Sequence, residues 1–410
     1  MSLDWHEITL AEAPIEIIDG DRGKSYPKHS DFSDDGHCLF LNATNVTAYG
    51  FDFSECQFIS EQKDEGLRKG KLARNDVVLT TRGTLGNTAL YNDSIPYDHV
   101  RINSGMVIMR TDIEKLLPLY LYGFLRSPRF KKQVEQLRSG VAQPQLPIRD
   151  INKIKFLLPP KIDQERIVDV FAAYDELIKN NRRRMALLED SARQLFREWF
   201  VCLRFPGHEH TPMVNGVPEK WKKTTALSAM EVLSGGTPKT NISNYWDGDI
   251  PFYTPKDATE QCYVICTERS ITELGLKNCN SRLYETDTIF ISARGTVGKL
   301  NIASRPMAMS QSCYALIGKG FVSQYFLFCA LKEAIAHFKQ HASGAVFDAI
   351  IVDTFKLIPF LLPEEKKVRL FEATVSPMFH QITNLMEQNK KLRAALDLLL
   401  PKLMSGEIAV

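Results

Sequence analysis

Apolar residues recur along residues 161–201 at alternating steps of four and three: Ile167, Phe171, Tyr174, Ile178, then Asn181 where an apolar residue is due, then Met185, Leu188, Ala192, Leu195 and Trp199. That spacing is a heptad seam and predicts one long helix over the segment. The positions between carry charges of both signs, Arg182, Arg183 and Arg184 among them, so the opposite face is solvated and only the seam needs a partner. The same seam returns 204 residues later as Phe371, Val375, Met378, Ile382, Leu385, Asn389, Leu392, Leu396, Leu399 and Leu403. One such stripe reads as a helix lying on a globular core. Two in identical register, each after a domain of similar pattern, predict an intramolecular coiled coil.

The connectivity sets its direction. The first helix leads from the first domain to the second, and the second helix starts at the second domain, so a compact pair is antiparallel. Placing Ile167 opposite Leu403 then places Asn181 opposite Asn389, the only two Asn on the seams, and a buried polar pair fixes register. Pro377 is the weak point: it removes a helix hydrogen bond and is expected to kink the second helix or restart it with Ser376 as N-cap.

Short extended runs precede the first helix, at 37–46, 76–81 and 104–109, and residues 114–138 read as helical in two pieces, the second starting at Ser127-Pro128. The stretch after the first helix repeats this plan. Trp221 answers Trp5, LSGGTPKT at 233–240 answers the turn-rich loop at 18–24, ARGTVGK at 293–299 answers TRGTLGN at 81–87, and SGAVFDAIIVDTFKLIPFLLPE at 343–364 answers SGVAQPQLPIRDINKIKFLLPP at 139–160. Elsewhere the copies differ almost completely, as when a scaffold is kept and a surface varies. The fold class is α+β, with globular domains at 1–160 and 206–364 and helical spacers at 161–205 and 365–410.

Composition changes little in this picture. Apolar residues at 44% and charged residues at 24% are globular values, and 410 residues exceed one core. Lys and Arg total 51 against 49 Asp and Glu, a net charge of +2, so any case for nucleic acid rests on local basic patches. The start MSLDWHEITL lacks the pattern of a leader, and no apolar run nears the roughly 18 residues of a membrane span, which points to the cytoplasm. Of the eight cysteines, Cys262, Cys266, Cys279 and Cys313 invite a zinc reading, but the first spacing is unusual and no second pair follows, so no metal is expected.

The two variable domains, each closing on an LLP segment that feeds a long helix, resemble the DNA-specificity subunit of type I restriction-modification systems. YWDGDIPFYTPKDA at 245–258, ARGTVGK at 293–299 and LLPKLMSGEI at 399–408 carry the likeness, and the first domain follows it more loosely, with FLNATNV where the second has PFYTPKD. The resemblance implies a non-catalytic subunit without cofactors. Each domain is a target-recognition domain reading half of a bipartite DNA site, and the helices dock two adenine methyltransferase subunits, to which ATP-dependent restriction subunits bind.

The chain's own chemistry agrees. It has no N/D-P-P-F/Y tetrad, no Gly-rich loop suited to S-adenosylmethionine and no G-x4-G-K-S/T; SGGTPKT lacks the P-loop spacing. Basic and amide side chains in turns suit contact with phosphates and base edges: Lys24, Arg82 and Arg101 in the first domain, Lys239, Lys256, Arg294, Lys299 and Gln311 in the second. Because Arg-Gly-Thr-x-Gly recurs in both, its glycines read as a structural turn and its Arg as a phosphate or internal contact, while Lys256 and Asp257 also read as a surface ion pair. Three alternatives remain at this point: a specificity subunit of another restriction class, a coiled-coil scaffold without DNA specificity, and a nuclease in its own right, which needs clustered carboxylates that the sequence scatters instead.

Overall fold

The computed structural model describes residues 5–140, 144–295, 297–341 and 350–408. Two compact units result, Met1–Ile178 with Lys390–Val410, and Lys179–Asn389. The division cuts both long helices in mid-course instead of at their ends, because each half of the helix pair buries its seam against its own domain.

In the first unit a four-stranded antiparallel sheet runs in the order Ile15–Asp19, Met106–Thr111, Asp76–Thr80, Thr88–Tyr91. Every residue of Asp76–Thr80 is buried, and the period of two divides the strand between two cores. Val77 and Leu79, with Val107 and Met109, face a cluster that contains Ile167, Phe171, Leu396, Leu400 and Leu403 of the long helices. Val78, Met106 and Ile108 face the other way, onto Leu39, Leu41, Val100 and Ile102 of a smaller sheet in which Leu39 pairs in parallel with Val100. The helices Pro118–Arg126 and Pro128–Leu137 are separated at Ser127, whose Oγ accepts from Phe130 N at 3.2 Å and caps the second one. Gln164 ties the first long helix to this domain: its Oε1 accepts from Leu117 N and its Nε2 donates to the Lys115 and Pro159 carbonyls, each at 2.9 Å.

The second unit repeats the topology. Its larger sheet runs Met230–Ser234, Cys313–Gly318, Ile289–Ser292, Leu300–Ala303, Tyr263–Val264, and in its smaller sheet Phe252 pairs in parallel with Ala308. Ile289 and Ile291 point at the helices, while Phe290 packs on Tyr253, Met309 and Ala315. The first part of the segment 343–364 that echoes 139–160 in the sequence, up to residue 349, lies outside the described residues, but Pro359–Leu362 pairs with Lys222–Thr225 as Lys155–Leu158 pairs with His6–Thr9.

The long helices are Lys161–Phe196 and Glu365–Met404, and two contacts within the second unit show them antiparallel. Trp199 meets Phe371 with ring centroids 5.9 Å apart, and Asn181 Nδ2 donates to Asn389 Oδ1 at 3.0 Å. The sequence placed helix as far as Val201, but Arg197–Val201 is a π turn. Its wider winding lets the consecutive Trp199 and Phe200 both sink into an aromatic cluster with Phe326 and Phe371, where a regular seam buries only one of them. Pro377 does not restart the second helix at Ser376; Glu365–Met404 is helical throughout. Proline deletes a single backbone hydrogen bond, and the buried Val375 and Phe379 on either side hold the helix through it.

Candidate nucleic-acid interface

Each unit builds the same pair of loops beside its sheets. The first is a one-turn 3-10 helix, Ala43–Asn45 and Pro255–Asp257. It is closed by a reciprocal box. Asn42 N donates to Asn45 Oδ1 at 3.0 Å in one copy, and Thr254 N donates to Asp257 Oδ2 at 2.8 Å in the other. The second is the Arg-Gly-Thr loop, whose glycines Gly83 and Gly86 have φ of 73° and 85° and Gly295 and Gly298 have 78° and 82°. These left-handed values favour glycine, so the recurrence of the motif is a demand of the turn. The loops lie against one another: Thr84 Oγ1 donates to the Ala43 carbonyl and Asn87 Nδ2 to the Val46 carbonyl, both at 3.0 Å. In the second unit a Cβ on Gly295 would stand 3.7 Å from Pro255 Cβ.

Six of the eight basic and amide side chains singled out from sequence are exposed or half-exposed with little or nothing to hold them, and three of these, Arg82, Arg294 and Lys256, lie on the two loops. Lys24, Lys239, Lys256, Arg294 and Gln311 are exposed and Arg82 is half-buried. Lys256 does not pair with Asp257. Its Nζ stands 3.9 Å from Glu268, while the buried Asp257 carboxylate is taken up by the 3-10 box and by Glu268 N at 2.7 Å. Lys299 lies 2.8 Å from Glu260, a solvent-exposed pair of small energy.

Arg101 is a correction. It is 5% exposed, its Nε donates to Asp64 Oδ1, and its remaining donors reach the carbonyls of Lys69, Asp64 and Leu67 at 2.7, 2.8 and 3.1 Å. A guanidinium so spent cannot reach a groove; it braces the segment 64–69. Burial pushes the Asp64 carboxyl up, but hydrogen bonds from Lys71 and Arg101 more than offset this and bring it to about 2. Asp64 also lies close to His37 and His99, whose rings stack at 4.2 Å, the one such three-residue group among the described residues. Its charge is already met by Lys71 and Arg101, so a dication would have to displace both. The cysteines of the zinc reading do not gather: Cys262 and Cys313 are buried in different cores, Cys266 is exposed and Cys279 half-buried.

A family model described as the type I restriction modification DNA specificity domain matches residues 4–190 and again 218–394. The chain belongs to this family. The HindI specificity subunit of Haemophilus influenzae is 22% identical to it, the alignment covering 99% of this chain and 100% of that one. The MjaIX specificity subunit of Methanocaldococcus jannaschii is 23% identical over 82% of this chain and 78% of that one. Among solved structures, the S subunit of a type I restriction-modification system from M. genitalium superposes with a TM-score of 0.51 at 15% identity, covering 98% of this chain and 96% of that one, which supports the fold. The chain is a DNA-recognition subunit, and the catalytic activities of such systems reside in other subunits. No helix among the described residues is long and apolar enough to cross a membrane.

Three side chains of this specificity subunit escaped the sequence reading. Arg22 donates to Asp19 Oδ1 at 3.2 Å and to the Ser104 carbonyl at 3.3 Å. Arg269 stacks on Trp246, its Cζ 3.3 Å from the ring centroid. Gln145 forms an isolated antiparallel bridge with Arg82. Nothing in the local sequence marks these residues, because each owes its place to a partner far along the chain or to an irregular turn.

Proposed function

We propose that the specificity subunit reads a bipartite duplex, one half-site per unit. In this reading the helical spacers 161–205 and 365–410 fix the gap and dock two adenine methyltransferase subunits, ATP-dependent restriction subunits join that complex, and the protein acts in the cytoplasm. The observation that carries the reading is the repeated loop pair: the turn geometry recurs while the exposed side chain at its centre changes, from Thr44 to Lys256. Lys24, Arg82, Lys239, Lys256, Arg294, Lys299 and Gln311 supply the contacts, those near the recurring Arg-Gly-Thr turn to phosphates and the variable ones to base edges.

The test is methylation mapping with the full chain and its methyltransferase. Two half-sites at a fixed gap are expected, and seven residues inserted in each helix, about 10 Å of rise, should lengthen the gap by roughly three base pairs at about 3.4 Å each. A single contiguous site, or an unchanged gap in the insertion variant, contradicts the reading.

A further inference from the structure

In the first unit a cleft of about 210 Å³ opens where the loop after Ile15–Asp19, the Arg-Gly-Thr loop and the segment 144–148 meet, lined by Asp19, Arg22, Arg82, Val107, Gln145 and Ile148 among others. Most of its polar groups are already spent. Asp19 holds Arg22, and Thr81 Oγ1 donates to the Gly105 carbonyl at 3.0 Å. The Arg82 guanidinium and the Gln145 carboxamide are different: neither has a hydrogen bond or ion pair among the described residues.

The backbone beneath these two side chains is fixed. Gln145 N donates to the Ser139 carbonyl at 2.8 Å, Ser139 N to the Gln145 carbonyl at 2.9 Å, and Leu146 N to the Thr81 carbonyl at 3.0 Å. Arg82 and Gln145 are direct cross-strand neighbours, which puts their side chains on one face with Cβ atoms about 5 Å apart. A rigidly mounted amide with a free donor and a free acceptor matches the N6 and N7 edge of adenine in the major groove, and a free guanidinium matches a phosphate oxygen.

The second unit separates the two roles. Arg294 stands where the first unit has Arg82, but at the offset of 204 residues that relates the two segments, Gln145 answers to Ala349. A side chain common to both domains suits a contact shared by all sequences, and one that changes between them suits a contact that distinguishes sequences.

We infer that Gln145 is a specificity-determining residue of the first unit, reading an adenine in its half-site, with Arg82 anchoring the adjacent phosphate. This rests on the two-half-site reading above.

Selection from a pool of randomised duplexes by the full chain with its methyltransferase tests it. The wild type should require adenine at one position of the half-site read by the first unit. Gln145→Ala should relax that position alone, by roughly ten- to a hundredfold, and leave the other half-site intact. Gln145→Glu, of the same size and shape, replaces the donor with an acceptor and should shift the preference toward cytosine, whose N4 amine donates; it carries the test if the alanine variant does not fold. Arg82→Ala should weaken binding to all sequences alike and reduce the salt slope by about 1. Wild-type specificity at every position in both Gln145 variants, or a first half-site without a required adenine, overturns the inference. A wild-type chain that selects no two-part site sinks the parent reading instead, so the two failures are distinguishable.

Discussion

Asn181 on the first long helix and Asn389 on the second share a hydrogen bond of 3.0 Å, with only 2% and 5% of their surfaces exposed. A polar pair in an otherwise apolar seam costs stability and gains register, because any slip of one helix leaves two amides facing apolar side chains. Asn181→Leu removes the shared bond and is expected to cost about 1–3 kcal/mol. Replacing both Asn with Leu should be close to neutral or stabilising, since no amide is then left without its mate. Urea denaturation of the two variants checks the order; a double variant less stable than the single one contradicts this account.

Asp64 offers a second handle, on the first unit. Its carboxyl, brought to about 2 by Lys71 and Arg101 against the opposing effect of burial, is about 4 in an unfolded chain. A carboxyl lowered by folding adds stability that is complete above about pH 4 and is lost as pH falls toward about 2. Acid unfolding should therefore steepen in that window. Asp64→Asn should flatten it and cost about 3–5 kcal/mol at neutral pH, because Arg101 is left buried without its counter-ion. An unaltered acid profile in the variant counts against the ion-pair assignment.

Glu372, in the second unit, has the opposite sign. Burial raises its carboxyl and the nearby Asp287 adds to this, while the 2.6 Å hydrogen bond from Ser323 Oγ acts to lower it. The folded state then holds the proton more tightly than the unfolded one, so ionisation on going to neutral pH destabilises the fold. Glu372→Gln keeps the acceptor for Ser323 and removes the charge. It should raise the melting temperature at pH 7 and do so less at pH 4; a lower melting temperature at pH 7 is the contrary result.

Much of the fold was legible because its signals are local. A heptad seam is written in the order of residues, and Ser127-Pro128 marks a helix start that the structure uses. The positive φ of Gly83 and Gly295 likewise follows from a motif short enough to read. The misreadings were all tertiary. Arg101 looks like any basic residue in a loop until Asp64 and the carbonyls of Leu67 and Lys69 close around it from more than thirty residues away. Lys256 and Asp257 are neighbours in sequence, but the turn sends one to solvent and the other inward. Gln145 emerges only when an isolated bridge sets it beside Arg82.

The central claim is that each unit reads its own half of the target, and exchanging residues 206–364 for the matching domain of a relative tests it most directly. With the chimaera assembled on the same methyltransferase, methylation mapping should show one half-site replaced by the relative's, with the other half-site and the gap retained. A target changed in both halves, or in neither, contradicts the account.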